Sequence, residues 1–333
     1  MDFSIAVVGA TGNVGREIFR TLEDSNIKIR EISAYASEKS IGKQVSFGKL
    51  KIDVNPTVNE SFHDVDLVFF ATEAAISGKY AKYAAKHAKL VIDLSSHFRM
   101  DKDVPLVVPE VNPESMSLAL ESKIIANPNC VVIPMVVALK KLNEFAEVSR
   151  IVVSTYQSVS GAGKKAMDTL YDQSKRKIFN VFEEQEVDED ESIIAFNVIP
   201  KIDELTASGY TKEEIKVANE TKKILSEEIE VSSTCVRIPV FVGHSMAINV
   251  EFCKNISVEE AYSLLEKAEG VIVSKDSYFS PIDCVGKDEV FVSRIRQDIA
   301  KNILNLWVVS DNLRKGAALN AVQIAEKFIE KHL

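Results

Sequence analysis

The sequence predicts an α/β protein with a doubly wound parallel sheet, followed by a second, α+β domain. In the first third of the chain, short apolar strands alternate with helical stretches, and this alternation is typical of a parallel sheet with crossover helices. Beyond residue 150 the pattern changes. Ile151–Gln157, for example, alternates like a strand with one wetter face, which indicates a sheet covered by protein on one side.

Length and composition indicate a soluble globular protein. A chain of 333 residues corresponds to about two domains. The hydrophobic fraction of 46% and the charged fraction of 27% are ordinary values. The net charge of −9 argues against a nucleic-acid partner.

The cysteines and the apolar runs favour a reducing cytoplasm and no membrane contact. Cys130, Cys235, Cys253 and Cys284 are scattered without a CxxC pair, so neither a disulfide framework nor a metal site is predicted. No export signal precedes the first strand. The longest apolar run, 131–139, is far short of the roughly 20 residues that a membrane helix needs.

The first strand leads into a glycine turn. Phe3–Val8 is followed by glycines at 9, 12 and 15 and by a helical stretch, the context of a Rossmann-like dinucleotide fingerprint. Gly9 would permit the tight turn, Gly12 the approach of a pyrophosphate, and Gly15 the packing of helix on strand. The spacing is GxxGxxG rather than GxGxxG, so a plain strand-to-helix turn is the alternative.

The second strand, Ile29–Ala36, bears on the choice of cofactor. An NAD site normally carries an acid at the end of this strand to hold the ribose 2′-hydroxyl. Here Ser37, Lys39 and Ser40 occupy that region, and hydroxyls with a lysine suit a 2′-phosphate. Glu38 would have to point away. A solvated polar loop explains this stretch equally well when it is taken alone.

Two further buried strands, at 65–71 and 90–93, complete the predicted parallel sheet, with a helix at about 74–88 between them. Ser95-Ser96-His97-Phe98-Arg99 follows a strand's carboxyl end, where α/β proteins bind their ligands. Arg99 is therefore a candidate anion contact, and a surface arginine is the alternative.

A cysteine opens the most apolar helix of the chain. A strand at 123–126 runs into Asn127-Pro128-Asn129-Cys130, and an apolar helix follows. Unpaired N–H groups and the macrodipole at a helix N-terminus favour a thiolate, which can lower the cysteine pKa from about 8.5 by one or more units. Cys130 is therefore a candidate nucleophile. A buried cysteine that only fills space is the alternative.

The middle of the chain supplies polar candidates. The loop after Gln157, Ser158-Val-Ser160-Gly161-Ala-Gly163, lacks the P-loop pattern but could present N–H groups to a ligand. An acidic run at 183–191 predicts a solvated loop. In a predicted helix at 211–225, Glu213 and Lys216 share a face, although a surface ion pair explains them equally well.

The last third predicts a hairpin at 232–252, a helix at 257–269, a strand at 302–310 and a closing helix at 313–332. Arg237 would face the side of the hairpin opposite its apolar residues, and His244 would lie at its bend. His244 is a candidate catalyst or a hydrogen-bonded structural residue. Cys235 and Cys253 would pack within strands. We predict a first domain of residues 1–127 with 313–333 and a second domain of residues 128–312.

Taken together, seven segments resemble the aspartate-β-semialdehyde dehydrogenase family. They are GATGNVG, SSHFR, NPNC, YQSVSGAG, EEIK, RIPVFVGHS and DNLRKGAALNAVQIAE. The resemblance covers nearly the whole chain, in order. It implies that the second domain is catalytic and mediates dimerisation, and that the protein is a homodimer or homotetramer.

The resemblance also implies site roles. Cys130 would be the nucleophile and His244 the general acid and base, while Asn129 and Gln157 would position the reacting carbonyl. Arg237 would hold the substrate carboxylate, Glu213 its ammonium, and Arg99 with Lys216 its phosphate. The residues implied in NADP binding are Gly9, Thr11, Gly12, Asn13, Val14, Gly15, Ser37, Lys39, Ser40, Ser160, Gly161 and Asn312. Many relatives carry arginine where Lys39 stands here.

The implied reaction is the reduction of an acyl phosphate by NADPH through a Cys130 thioester, in lysine, threonine and methionine biosynthesis. A cysteine with a nearby base can divide this reaction into two easier steps. Three alternatives stay open: an N-acetyl-glutamyl-phosphate reductase, an acyl-CoA reductase of the same architecture, and a non-catalytic NADPH-binding regulatory module. Glu213 would lack an ionic partner in the first, and a binding module would not need Cys130, Gln157 and His244.

Overall fold

A computed structural model of the chain describes residues 2–179 and 193–333. The first of two sheets has seven strands in the order β3-β4-β2-β1-β5-β6-β7. They are β1 (Phe3–Val8), β2 (Ile29–Ala36), β3 (Gln44–Phe47), β4 (Leu50–Pro56), β5 (Leu67–Phe70), β6 (Leu90–Asp93) and β7 (Ile124–Ala126). All neighbouring strands are parallel except β3, which runs antiparallel to β4 at the edge. The predicted doubly wound parallel sheet is confirmed.

The second sheet is mixed and has six strands in the order β11-β12-β13-β10-β8-β9. They are β8 (Val148–Gln157), β9 (Glu230–Arg237), β10 (His244–Phe252), β11 (Val271–Ser274), β12 (Val290–Gln297) and β13 (Ile303–Ser310). The hairpin predicted at 232–252 is wrong. β8 lies between β9 and β10, pairing with β9 in parallel and with β10 antiparallel. The turn at 238–243 therefore spans a strand instead of joining two neighbours.

Nine α-helices lie within the described residues. They are α1 (Asn13–Glu23), α2 (Ala74–His87), α3 (Ala119–Ser122), α4 (Val132–Ala146), α5 (Lys164–Ile178), α6 (Lys212–Leu225), α7 (Val258–Leu265), α8 (Pro281–Cys284) and α9 (Leu319–His332). A π-helical turn at Arg314–Ala318 leads into α9. The helix predicted at 257–269 ends early, at Leu265. Its N-cap, Ser257, forms a capping box with Glu260.

Two cores position the site. Helix α4, buried along most of its length, joins one face of the first sheet to the second sheet in a single apolar cluster. The opposite face of the first sheet packs against α1 and α9 in a second cluster. The chain thus leaves the first sheet after β7 and returns to it with its last helix, as the sequence predicts.

Two further sequence predictions concern an acidic loop and membrane-spanning helices. The acidic run at 183–191 lies outside the described residues. Within 2–179 and 193–333, no helix is both long enough and apolar enough to cross a membrane.

Candidate active site

A cleft of about 510 Å³ opens between the carboxyl ends of the first sheet and the second sheet. The predicted site residues that line it are Val14, Arg99, Asn129, Cys130, Gln157, Ser160, Gly161, Glu213, Lys216, Arg237 and Asn312. Parallel strands end at this edge of the sheet, so the topology itself creates the crevice. Residues that are far apart in the sequence thus meet at one cleft.

Cys130 lies in the loop that joins β7 to α4. The N–H of Asn127 donates to the carbonyl of Asp93 at 2.8 Å, which ties the loop to the end of β6. Asn129 Oδ1 accepts the N–H of Val131 at 2.9 Å, in the turn just before the helix. Helix α4 begins at Val132, so Cys130 lies just outside its first turn.

The pKa of Cys130 runs against the sequence prediction. Burial raises the pKa of the Cys130 thiol to about 12, Glu213 adds to this rise, and Arg99 with Arg237 only partly opposes it. The side chain opens partly onto the cleft, but protein atoms surround it closely. The expected lowering of the pKa is therefore wrong, because desolvation outweighs the helix terminus and the cations. Cys130 is a neutral thiol in this arrangement.

His244 is fully buried at the start of β10. Its Nδ1 accepts the backbone N–H of Ser158 at 3.0 Å. An accepting Nδ1 carries no proton, so the neutral ring carries its proton on Nε2. Within the described residues Nε2 has no hydrogen-bond partner. Burial, reinforced by the charge of Arg237, lowers the pKa of His244 to about 3.

Asn312 joins the loops on either side of His244. Its Oδ1 accepts the hydroxyls of Ser158 and Ser160, both at 3.1 Å, and the N–H of Gly243 at 2.9 Å. Gly243 has a φ of +95°, a left-handed conformation that favours glycine. The amide of this predicted cofactor residue thus fixes both flanks of His244.

Glu213 links the two predicted carbonyl-positioning amides. Its Oε1 accepts Asn129 Nδ2 at 2.9 Å and Gln157 Nε2 at 3.3 Å. Thr155 Oγ1 donates to Gln157 Oε1 at 2.9 Å, which fixes the orientation of that amide. Helix α6 therefore controls both amides beside Cys130 through one carboxylate.

Lys216 lies one helical turn beyond Glu213. Its Nζ contacts Asp203 Oδ2 at 2.7 Å and Glu213 Oε2 at 3.4 Å. Burial works against the charged ammonium, but the two carboxylates together raise the pKa of Lys216. Asp203 also lines the cleft, and no spacing or motif in the sequence indicated it.

Arg237, at the end of β9, projects into the cleft half-buried. Its Nη1 donates to the carbonyl of Ser158 at 2.6 Å. The same Ser158 donates its N–H to His244, so one residue contacts both the predicted carboxylate anchor and the predicted catalytic histidine. Among residues 2–179 and 193–333, this is the one hydrogen bond of the guanidinium, so its other N–H groups can face a ligand.

Arg99 has a buried partner that the sequence analysis missed. Arg99 Nη1 pairs with Glu220 Oε1 at 3.0 Å, and Glu220 Oε2 accepts the N–H of Asn129 at 2.6 Å. Three residues after Glu220, Lys223 donates to the carbonyls of Arg99, Asp101 and Val104. Positions 213, 216, 220 and 223 fall on one face of α6, and this charged spacing was the signal available in the sequence.

Helix α6 begins with a capping box between Thr211 and Glu214. Thr211 Oγ1 accepts the N–H of Glu214, and the Glu214 carboxylate accepts the N–H of Thr211. The partner is thus Glu214 rather than Glu213. This leaves Glu213 available to the cleft.

The glycine turn is built as the sequence predicts. Gly9 has a φ of +83°, and a Cβ there would lie 2.1 Å from the carbonyl oxygen of Ala71. A Cβ on Gly15 would lie 2.2 Å from the carbonyl oxygen of Gly9, so helix α1 packs too closely for any side chain. The nearest atom to a Cβ on Gly12 is 3.4 Å away, which leaves room for the backbone to approach a ligand at the start of α1. These features fit a dinucleotide.

The predicted 2′-phosphate loop lies beside this turn. Ser37 occupies the N-cap position of the 3-10 turn Glu38–Ser40, in which Lys39 is exposed. Ser40 Oγ lies 3.2 Å from Thr11 Oγ1, so the loop contacts the glycine turn directly. Farther along the turn, Asn13 Nδ2 donates to the carbonyl of Ser160 at 3.4 Å. The glycine turn thus contacts the loop after β8, the loop whose Ser158 N–H donates to His244.

The other cysteines fall into two classes. Cys235 and Cys284 are buried, as predicted for Cys235. Cys253 is exposed, so its predicted packing role is wrong. It follows the last residue of β10, and its N–H donates to the carbonyl of Glu147 in the turn after α4. Cys253 therefore lies just past the end of β10, where its side chain is exposed to solvent.

Comparisons with known proteins agree along the whole chain. The family model described as "Semialdehyde dehydrogenase, NAD binding domain" matches residues 4–119, and "Semialdehyde dehydrogenase, dimerisation domain" matches residues 139–315. The aspartate-semialdehyde dehydrogenase of Aquifex aeolicus is 48% identical over 343 residues and is covered, like this chain, at 100%. That of Rickettsia conorii is 46% identical over 336 residues, which are 99% of each chain.

Among solved structures, aspartate semialdehyde dehydrogenase II from Vibrio cholerae, complexed with ASA, superposes with a TM-score of 0.96. It is 42% identical, and the match covers 100% of both chains. The fold, the cleft and the full-length similarity agree. The chain therefore belongs to the aspartate-semialdehyde dehydrogenase family.

Proposed function

We propose that this protein reduces L-aspartyl-4-phosphate to L-aspartate 4-semialdehyde and phosphate with NADPH, through a thioester on Cys130. The observation that carries this proposal is the set of groups around Cys130. The cleft beside this cysteine is lined by the amides of Asn129 and Gln157, the cations of Arg99, Lys216 and Arg237, and the carboxylate of Glu213. This set matches a substrate that carries an acyl phosphate, a carboxylate and an ammonium.

Thioester formation needs the thiol, an acceptor for the thiol proton, and groups that stabilise the phosphate as it leaves. The Cys130 sulfur bonds to the acyl carbon, the carbon–oxygen bond to phosphate breaks, and the thiol proton balances the phosphate, which leaves as hydrogen phosphate. Lys216 and Arg99 would bind the phosphoryl oxygens. The two amides of Asn129 and Gln157 would orient the carbonyl, which is a positioning contribution.

We assign His244 the role of hydrogen-bond donor to the reacting oxygen. The Ser158 N–H keeps Nδ1 unprotonated, so a neutral His244 donates through Nε2. A pKa of about 3 keeps the ring neutral at physiological pH. A buried donor of fixed orientation stabilises a developing oxyanion more strongly than a solvated one. Ionisation seen in kinetics would belong to the Cys130–His244 pair.

Substrate choice would depend on Arg237 and Glu213. The planar fork of Arg237 suits the α-carboxylate. Glu213 would attract the α-ammonium, and the same carboxylate holds the Asn129 and Gln157 amides. Binding of the correct amino acid is thereby coupled to the groups that place its carbonyl.

The glycine turn and its neighbours would hold NADP. NADPH supplies the hydride that reduces the thioester. Gly12, at the N-cap of α1, offers the backbone space and the N-terminal dipole that a pyrophosphate needs. Lys39, Ser37 and Ser40 would receive the 2′-phosphate, and Ser160, Gly161 and Asn312 would close the nicotinamide side.

We further propose a homodimer or homotetramer that assembles through the second domain, with the domain bounds predicted above. The family model over residues 139–315 is described as a dimerisation domain, which supports this assignment. Phosphate as the second substrate and the cytoplasmic location rest on the sequence predictions. The N-acetylated and acyl-CoA alternatives are disfavoured, because the similar curated proteins at 43–48% identity are aspartate-semialdehyde dehydrogenases.

A reverse-direction assay tests the proposal. We expect NADP reduction with aspartate semialdehyde only when phosphate is present. N-acetyl-glutamate semialdehyde should give little activity, since its uncharged amide offers Glu213 no ionic partner. Activity that depends on coenzyme A instead of phosphate, or that prefers the acetylated substrate, would contradict the assignment.

A further inference from the structure

Glu220 is a buried carboxylate that the proposed reaction does not use directly. Its side chain is 1% exposed. One oxygen accepts the backbone N–H of Asn129 at 2.6 Å, and the other pairs with Arg99 Nη1 at 3.0 Å. A single carboxylate therefore contacts the residue before Cys130 and the proposed phosphate ligand.

Arg99 and Glu220 each form a hydrogen bond with the loop that carries Cys130. Arg99 Nε donates to the carbonyl of Asn127 at 3.0 Å, two residues before the N–H that Glu220 accepts. Arg99 Nη2 donates to the carbonyl of Leu94 at 2.9 Å. Among the described residues, three N–H groups of the guanidinium are thus engaged, which leaves two of its five for an anion.

Helix α6 places the Glu220 carboxylate on the same face as Glu213. The two residues are seven apart, which is two helical turns, so they lie on one face. Glu213 accepts the side-chain amide of Asn129 while Glu220 accepts its backbone N–H. Backbone and side chain of the residue beside the nucleophile are both fixed by one helix.

The Arg99–Glu220 pair compensates two buried polar groups at once. Burial raises the pKa of Glu220, while Arg99 and the Asn129 N–H oppose this rise. Removing the carboxylate would leave a buried guanidinium without its counter-charge and a buried N–H without an acceptor. Both groups would then move toward other partners, and the two sites that they serve would lose their relative placement.

We propose that Glu220 is a positioning residue that holds the Cys130 loop and the Arg99 guanidinium at a fixed separation. The inference rests on the proposed roles of Cys130 and Arg99. It predicts that one carboxylate governs two kinetic quantities, the turnover rate through Asn129 and the affinity for phosphate through Arg99. A residue that merely stabilises the fold would change neither selectively.

The test compares Glu220→Gln with a matched control, Glu214→Gln. Glu214 is also a buried carboxylate on α6, and it accepts the backbone N–H groups of Thr211 and Cys235 without contacting the loop or Arg99. An amide at 220 keeps one acceptor and presents a donor to the other group. We expect kcat to fall about 10- to 100-fold and KM for phosphate to rise about tenfold. Glu214→Gln should lower the unfolding temperature and leave both constants near the parent values.

A double-variant cycle separates the effect of Glu220 on kcat from its effect on KM for phosphate. In an Arg99→Gln background, Glu220→Gln should no longer change KM for phosphate but should still lower kcat. NADP affinity should be the same in all variants, since Glu220 has no contact with the glycine turn. Equal losses in Glu220→Gln and Glu214→Gln, or additive effects on KM for phosphate, would overturn the proposal.

Alkylation of Cys130 supplies a readout that does not depend on turnover. In a Cys253→Ser background, Glu220→Gln should speed the reaction of Cys130 with iodoacetamide, because the loop loosens, while Glu214→Gln should not. An unchanged alkylation rate would overturn the positioning role. If the parent protein lacks phosphate-dependent activity, the proposed function fails, and this alkylation comparison still decides whether Glu220 holds the loop.

Discussion

The two sides of the cleft use burial in opposite ways. On the reactive side, burial keeps Cys130 and His244 neutral, with pKa values of about 12 and about 3. On the recognition side, burial is met by counter-charges: Arg99 pairs with Glu220, and Lys216 pairs with Asp203 and Glu213. The same site therefore contains groups that burial holds in their neutral form and groups that counter-charges keep ionised.

This difference follows from what each side has to do. A buried group without an opposite charge adopts its neutral form, whereas a paired group can stay ionised. Neutral reacting groups need no counter-ion and change charge only together with the substrate. Charged anchors must carry their charge before the substrate arrives, because they select it.

The largest expected effect is the loss of Cys130. Cys130→Ala should lower kcat by about 1,000-fold or more, because no other group in the cleft can form the thioester. Cys130→Ser should be almost as poor, since a hydroxyl is a weaker nucleophile than a thiol. Both variants should still bind NADP, because the glycine turn lies apart from the loop. Steady-state kinetics and cofactor titration measure these quantities.

Cys253→Ser provides the control, since Cys253 is the exposed cysteine of the chain and lies outside the cleft. It should retain the parent activity. Intact-mass and peptide analysis after quenching with the acyl phosphate, without reduced cofactor, should find one acyl adduct, on Cys130. An adduct on another residue would contradict the thioester mechanism.

The sequence was sufficient to locate Cys130 but not to predict its ionisation. The turn, the proline and the apolar helix are local features that place a cysteine at a helix start. Its pKa depends on burial within the folded chain and on Glu213, which lies more than 80 residues away. The local sequence indicates the helix dipole but not the desolvation of the thiol, so it predicts a lowered pKa for Cys130 where the fold raises it.

The strand order of the second sheet could not be predicted from local sequence either. The alternation at 232–252 correctly indicated two strands, and their proximity in sequence suggested a hairpin. β8, from about 80 residues earlier, inserts between them. Glu220 was missed for a related reason: its spacing on α6 was visible, but its partners, Arg99 and the Asn129 N–H, lie 121 and 91 residues earlier in the chain.

Replacement of the proposed carboxylate anchor should rank second. Arg237→Lys keeps the charge but loses the planar fork and its 2.6 Å bond to the Ser158 carbonyl. We expect kcat/KM for aspartate semialdehyde to fall about 100-fold, from the combined loss of substrate contact and of support near His244. An activity within twofold of the parent would show that Arg237 does not bind the substrate.

The pH dependence of stability tests whether His244 is neutral. Its folded pKa of about 3 lies below the ordinary value of 6.5, so between these limits only the unfolded chain binds the proton. Stability should therefore decrease as the pH falls through this window, by up to about 1.4 kcal/mol per pH unit from this residue. Urea unfolding at several pH values measures the slope.

His244→Asn is the comparison for that slope. An asparagine side chain can accept the Ser158 N–H and does not titrate. The variant should lose less stability than the parent between pH 6.5 and pH 5, and the difference isolates His244 from the carboxylates that titrate nearby. Equal slopes in the two proteins would mean that His244 ionises in the fold and that the two sides of the cleft do not differ in this way.

The smallest effect is expected at an exposed charge. Lys39 lies in the 3-10 turn Glu38–Ser40, and solvent screens it. Lys39→Asp should repel the 2′-phosphate and lower the preference for NADP over NAD, measured as the ratio of kcat/KM values, by about tenfold at low salt. The loss should shrink as ionic strength rises, unlike the effects at the buried groups. Lys43→Asp, an exposed lysine in the same loop, should leave the ratio near the parent value. Equal losses at the two positions would assign the preference to the general charge of the loop, and an unchanged ratio in Lys39→Asp would remove Lys39 from the 2′-phosphate site.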